Sequence, residues 1–151
     1  MILHTSAIAE PVGLGVLTRG GFPGGTFHPL VPFTDPEVSA ELLRKGWIGI
    51  DGENAAKNVG RRLAGHVGAR VLEIPPGKKP AYHAAAVISS NFPVVLASVA
   101  GHLLHDIGIP DASAYQAVES PMSGALANMK PRRPDDAMNR PVVRGDGATA
   151  G

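Results

Sequence analysis

His83 and Asn91 stand about two helical turns apart in a stretch, Pro80 to His105 (PAYHAAAVISSNFPVVLASVAGHLLH), that contains no Asp, Glu, Lys or Arg. On a helix, His83, Val87, Ser90, Asn91, Val94 and Ser98 share one side. An imidazole exchanges protons near neutral pH, and a carboxamide both donates and accepts hydrogen bonds. The two together could hold and protonate one small ligand. Pro93 has no N–H for the carbonyl of Ser89, so a bend there would leave that oxygen facing a ligand beside the hydroxyls of Ser89 and Ser90. The same Ser and Asn side chains could equally satisfy one another at a helix–helix contact. The residues leave both readings open.

Other residues could carry chemistry at strand ends, where open α/β sheets bind ligands. Thr26-Phe27-His28-Pro29 places a histidine there, and His4-Thr5-Ser6 sits similarly. A hydrogen-bonded structural role is the competing reading for each histidine. His102 and His105 are spaced i, i+3 and could share a metal, but no third ligand lies near in sequence, and histidines at a helix C-terminus also suit its dipole. Arg144-Gly145-Asp146 matches a cell-adhesion tripeptide. In a cysteine-free chain with no cationic leader ahead of an apolar run, a local role is expected, with Arg144 pairing an anion or Asp146 capping a helix. No strand is followed by Gly-x-Gly-x-x-Gly opening a helix, so no dinucleotide phosphate cradle can be named.

The elements that must position these residues follow from pattern. Met1 to Ser6 reads as the end of a strand emptying into a loop, and Ala7 to Leu17 as a short helix weakened by Gly13 and Gly15. Gly20 to Gly25 reads as a turn, Thr26 to His28 as a strand continued in extended form by Val31 to Phe33, and Pro36 to Lys45 as a helix. Gly46 to Asp51 is a strand. Glu53 to Val67 is an amphipathic helix with Val59, Leu63 and Val67 on its apolar face, closed by Gly68, and Ala69 to Ile74 is the next strand. Strand–helix–strand with short joints is a crossover unit of an open sheet. Pro75-Pro76-Gly77 breaks the chain, and a domain boundary is expected there, dividing 1–77 from 78–151. Beyond the long helix, Asp111 is expected to cap the next one, Pro121 to interrupt it so that a new helix starts at Ser120, and Lys130 to Arg140 to form a polar loop.

Composition limits the function classes. With 151 residues, 44% hydrophobic and 18% charged, the chain can bury a core. A net charge of +1 and 5% aromatics supply neither the basic field nor the stacking platform of a nucleic-acid binder. The absence of cysteine fits a reducing cytoplasm, the expected location. The uncharged stretch is about 25 residues long, enough to cross a bilayer. It lacks an aromatic belt and a one-sided Lys/Arg flank, so a buried helix of a soluble dimer is expected rather than a membrane span.

Taken together, HTS near the start, GTFHPL, GWIGIDGE, KPAYHAAAVISSN, SPMSGALAN and RPVVRGD resemble the C-terminal region of a Rossmann-like oxidoreductase family carrying domain of unknown function 2520, similar to pyrroline-5-carboxylate reductases and to 6-phosphogluconate and β-hydroxyacid dehydrogenases. The most specific piece is Tyr82 to Asn91, and Ala7 stands where the family commonly has Gly. The resemblance implies α/β plus all-α architecture: the latter part of a Rossmann-like sheet (1–77, glycine loop absent), then a helical dimerisation domain built on one long central helix (78–151). It implies a fragment of an NADP- or NAD-dependent oxidoreductase acting on a small C=O or C=N substrate, working as a homodimer. Related dehydrogenases place a Lys and an Asn on the interdomain helix. The implied site is therefore His83 as proton donor, Asn91 orienting the substrate, Lys79 beside them, and Ser6 and His28 near the nicotinamide. The rival expectation is a non-catalytic binding or dimerisation module that has lost its cofactor.

Overall fold

The computed structural model describes residues 1–130 and Pro134. The loop expected from Lys130 to Arg140 and the Arg144-Gly145-Asp146 tripeptide thus fall almost wholly outside the described residues. The chain packs as two compact units, Met1–Phe92 and Pro93–Gly151.

In the first unit four strands form one mixed sheet in the order β1-β2-β3-β4: β1 (Ile2–His4), β2 (Gly24–Pro29), β3 (Trp47–Gly52) and β4 (Arg70–Glu73). β1 runs parallel to β2 and β3 parallel to β4, while β2 and β3 are antiparallel. The β1–β2 crossover carries a 3-10 turn at Pro11–Leu14 and a short helix, α1 (Gly15–Arg19). α2 (Pro36–Lys45) starts where Asp35 accepts hydrogen bonds from the N–H groups of Glu37 and Val38 and Pro36 presets the first turn. α3 (Asn54–His66) joins β3 to β4, the expected crossover.

Strand alternation gives this sheet two unlike faces. Ile48 and Ile50 are fully buried with Ala64, against Phe27, Leu43, Ala69 and Val71. Burial of each Ile is worth roughly 1.5–3 kcal/mol. The helix face that meets them is not Val59, Leu63 and Val67: Leu63 and Val67 are exposed, and Ala56, Gly60 and Ala64 are buried instead. Small side chains let the helix axis come close. A Cβ on Gly25 would lie 2.7 Å from the Cβ of Ala56, so only glycine fits there on β2. The other face carries His4, Thr26, His28, Gly49 and Asp51, paired across the ladder as Thr26–Asp51 and His28–Gly49.

Gly24 and Gly25, expected in a turn, begin β2, and Val31 to Phe33 form no strand, because β2 stops at Pro29 with one further bond from the Leu30 N–H to the Trp47 carbonyl. The long helix is α4 (Lys79–Asp106), unbroken through Pro93. By length and composition it could cross a membrane.

In the second unit, α5 (Asp111–Met129) also runs unbroken through Pro121, so no new helix starts at Ser120. Pro121 removes one backbone bond, which the turns on either side outlast. Pro110, not Asp111, occupies the N-cap and makes no side-chain cap bond; Asp111 lies inside the first turn, where its charge suits the helix dipole. Ala114 and Val118 are buried, and Gly101 of α4 leaves the space that the Tyr115 ring fills.

Candidate functional site

The polar face of the sheet builds two neighbouring arrangements in the first unit. One is a buried knot around Lys79, the first residue of α4, whose side chain is fully buried. Its Nζ donates to the carbonyl of Ser6 at 3.1 Å, to the carbonyl of Ala9 and to Thr26 Oγ1 at 2.7 Å. Three acceptors for three N–H donors satisfy an ammonium completely. Burial pushes the Lys79 pKa below its ordinary value, while the charges of Asp51 and Glu10 pull it back up.

Thr26 Oγ1 also lies 3.2 Å from His4 Nε2, and His4 Nδ1 accepts from the Ser6 N–H at 3.2 Å. Burial, followed by the Lys79 charge, holds the His4 pKa down. A neutral His4 that accepts at Nδ1 must carry its proton on Nε2, so Thr26 Oγ1 receives both His4 and Lys79. Ser6 Oγ accepts from the Ile8 and Ala9 N–H groups, closing a local turn. Asp51 Oδ1 accepts from the Gly52 N–H, while its buried Oδ2 has no protein partner among the described residues.

The other arrangement is a cleft of about 570 Å³ between the segment that follows β2 and the first turns of α4. His28, His83, Ser89, Ser90 and Asn91 are its polar lining, and Leu30, Val31, Phe33 and Val87 are among its apolar walls. His28 Nδ1 lies 2.7 Å from the Tyr82 hydroxyl, and the two rings meet edge to face with centroids 5.6 Å apart. Burial, then the positive charge of Lys79, then that of His83 lower the His28 pKa, and burial pushes the Tyr82 phenol up to about 12. Ser90 Oγ donates to the Ala86 carbonyl at 2.7 Å and lies 3.1 Å from Asn91 Oδ1, and Ser89 Oγ donates to the same carbonyl. The Ser90–Asn91 contact is thus local to one helix, and Asn91 stays exposed at the cleft. Buried Nδ1 of His83 has no partner among the described residues.

Of the five residues expected at a site, the structure gathers His28, His83 and Asn91 around this cleft. It places Ser6 and Lys79 in the adjoining knot, with Ala7 bridging to the cleft lining. Sequence reasoning missed Tyr82, Thr26 and Asp51. Alternation on β2 and β3 would have put Thr26, His28 and Asp51 on one face; Tyr82 gave no signal of its own beyond its place beside His83. His102 packs edge to face on Tyr115 in the second unit, and among the described residues no group of three His, Asp or Glu side chains could hold a metal ion.

A family model described as "Domain of unknown function (DUF2520)" matches residues 47–150. The chain matches no curated protein sequence. Among solved structures, protein TM1727 from Thermotoga maritima superimposes with a TM-score of 0.78 at 27% identity, over 97% of this chain and 56% of that one. A protein from Bacteroides fragilis named "putative NADP oxidoreductase BF3122" superimposes with a TM-score of 0.72 at 17% identity, over 97% of this chain and 54% of that one, a likeness of fold. The chain spans little more than half the length of either.

Proposed function

This chain belongs to the DUF2520 family, and from that premise we propose that it is part of an NADP- or NAD-dependent oxidoreductase that reduces a small C=O or C=N substrate in the cleft lined by His28, His83 and Asn91. The observation that carries the reading is that cleft: two imidazoles and a carboxamide beside apolar walls at the end of a Rossmann-like strand, in a fold shared with the protein named "putative NADP oxidoreductase BF3122".

The residues fit the nicotinamide end of a cofactor. Val31, Phe33 and Val87 offer apolar surface to a flat ring beside His28. The adenine and phosphate end has no Gly-x-Gly-x-x-Gly cradle in this sequence. A bound reduced nicotinamide would supply hydride. In this proposal His83 delivers the proton to the reduced atom, Asn91 orients the substrate, and Ser6 and His28 stand nearest the nicotinamide. Lys79, with all three donors engaged, contributes by holding Ser6 and Ala9 against β2 rather than by meeting the substrate. Kinship with pyrroline-5-carboxylate reductases and the 6-phosphogluconate and β-hydroxyacid dehydrogenases, with 1–77 as the end of the nucleotide domain and 78–151 as a helical domain, is part of the same proposal, as is a cytoplasmic location.

A homodimer completes it. Leu96, Val99 and Leu103 of α4 and Leu126 of α5 are more than half exposed in the single chain. That much apolar surface favours a partner.

Trp47, the only tryptophan, gives a single fluorescent reporter on β3, whose partner strand β2 leads into the cleft segment. Titration with NADPH is expected to show saturable binding, read by Trp47 quenching and by calorimetry, and His83→Ala is expected to leave that binding in place while abolishing substrate-dependent NADPH oxidation. Absence of saturable binding by either readout overturns cofactor binding by this chain; unchanged turnover in His83→Ala overturns the proton-donor role.

A further inference from the structure

We propose that Tyr82 is a positioning residue that locks His28 in the Nε2–H tautomer, so that the cleft presents one fixed donor to an uncharged acceptor, a carbonyl oxygen or an imine nitrogen. This rests on the oxidoreductase reading for its ligand class, and on the geometry alone for the tautomer.

Two hydrogen-bond polarities are possible across the 2.7 Å contact between Tyr82 Oη and His28 Nδ1. If His28 donated from Nδ1, the phenol proton would need a second acceptor, and Tyr82 has none among the described residues. If Tyr82 donates, both groups are satisfied at once. The chemistry agrees: a phenol is the stronger donor of the two, and the bare imidazole nitrogen the stronger acceptor. Burial supports the neutral state of each partner.

A neutral His28 that accepts at Nδ1 carries its proton on Nε2. That nitrogen is not among the buried unpartnered atoms, has no protein partner among the described residues, and belongs to a residue lining the cleft. It therefore offers an N–H to whatever enters.

The fold makes room for this arrangement. Tyr82 lies over Gly49 of β3, which pairs with His28 across the ladder, and a Cβ on Gly49 would collide with the Tyr82 hydroxyl. A fixed N–H donor favours a ligand atom that gains electron density as the reaction proceeds, as carbonyl oxygen and imine nitrogen do on accepting hydride. The described lining contains no Lys, Arg, Asp or Glu.

The test uses the whole chain, labelled with ¹⁵N at histidine, and long-range ¹H–¹⁵N spectra that tell the two tautomers apart. Wild type is expected to show His28 at neutral pH with a pyridine-type Nδ1 and a protonated Nε2. Tyr82→Phe keeps the ring in its slot and removes the donor, so His28 is expected to become a mixture of tautomers. Gly49→Ala, which pushes the hydroxyl away, is a second route to the same mixture should Tyr82→Phe not fold. A wild-type Nδ1–H tautomer, a cationic His28 at neutral pH, or a single unchanged tautomer in the folded variant overturns the positioning role.

Addition of 2-pyrrolidinone, an uncharged carbonyl probe, is expected to move the His28 Nε2 signal saturably in wild type and at least several-fold more weakly in Tyr82→Phe. A saturable response to acetate with none to 2-pyrrolidinone overturns the ligand class. Failure of NADPH to bind while the tautomer and probe results hold overturns the redox reading alone.

Discussion

Lys79 shows how much a single side chain can be asked to do. Its ammonium is fully buried yet joins Ser6, Ala9 and Thr26, residues more than fifty positions away in sequence. Lys79→Met keeps most of the volume and strands three acceptors, so a loss of about 3 kcal/mol or more is expected in chemical denaturation. A second expectation concerns acid. His4 and His28 both have folded-state pKa values below their ordinary one. Between the folded and the unfolded value the unfolded chain binds more protons, so stability is complete above the ordinary histidine pKa and falls as pH drops below it. Thermal melts from pH 8 to pH 5 should show this decline, and His4→Asn with His28→Asn should flatten it. Lys79 was legible in the sequence only by its place in a family motif. Its actual task depends on contacts that no local pattern encodes. His28, His83 and Asn91 were legible because strand-end and helix-face geometry act at short range.

At the scale of elements, α2 was readable to the residue because its start is a local device: Asp35 accepts from two N–H groups and Pro36 follows. Asp35→Ala should cost about 1 kcal/mol, read as a shift in the denaturation midpoint without a change of slope. α3 was placed correctly but turned wrongly. Its larger apolar residues suggested a buried face, whereas close approach to Gly25 selects Ala56, contact with Ile50 selects Gly60, and Ala64 packs with Ile48 and Ile50. Size beats hydrophobicity where a helix lies directly on a strand. Pro121 misled in the opposite way. It was read as a boundary, but α5 continues because one missing bond near the middle of a nineteen-residue helix is outweighed by its flanking turns.

For the whole molecule, a Rossmann-like sheet followed by helices was conveyed by the sequence as a type but not as a register; the antiparallel pairing of β2 with β3 joins strands separated by α2 and could not be read from spacing. The apolar character of α4 was plain in the sequence, but what covers it was not. If the covering surface is a second copy, sedimentation should give about twice the 15.6 kDa mass of the chain, and Leu103→Glu should halve it without loss of helical signal. A persistent monomer in the wild type would remove the homodimer from the proposal.

The seclusion of Lys79 also makes the chain its own footprinting standard. An acylating reagent can reach Lys45, Lys78 and Lys130, which are exposed, but not the ammonium tied beneath Ser6 and Ala9. The rate at which Lys79 becomes labelled would therefore time the opening of the 6–9 segment, with the neighbouring Lys78 serving as the clock against which it is read.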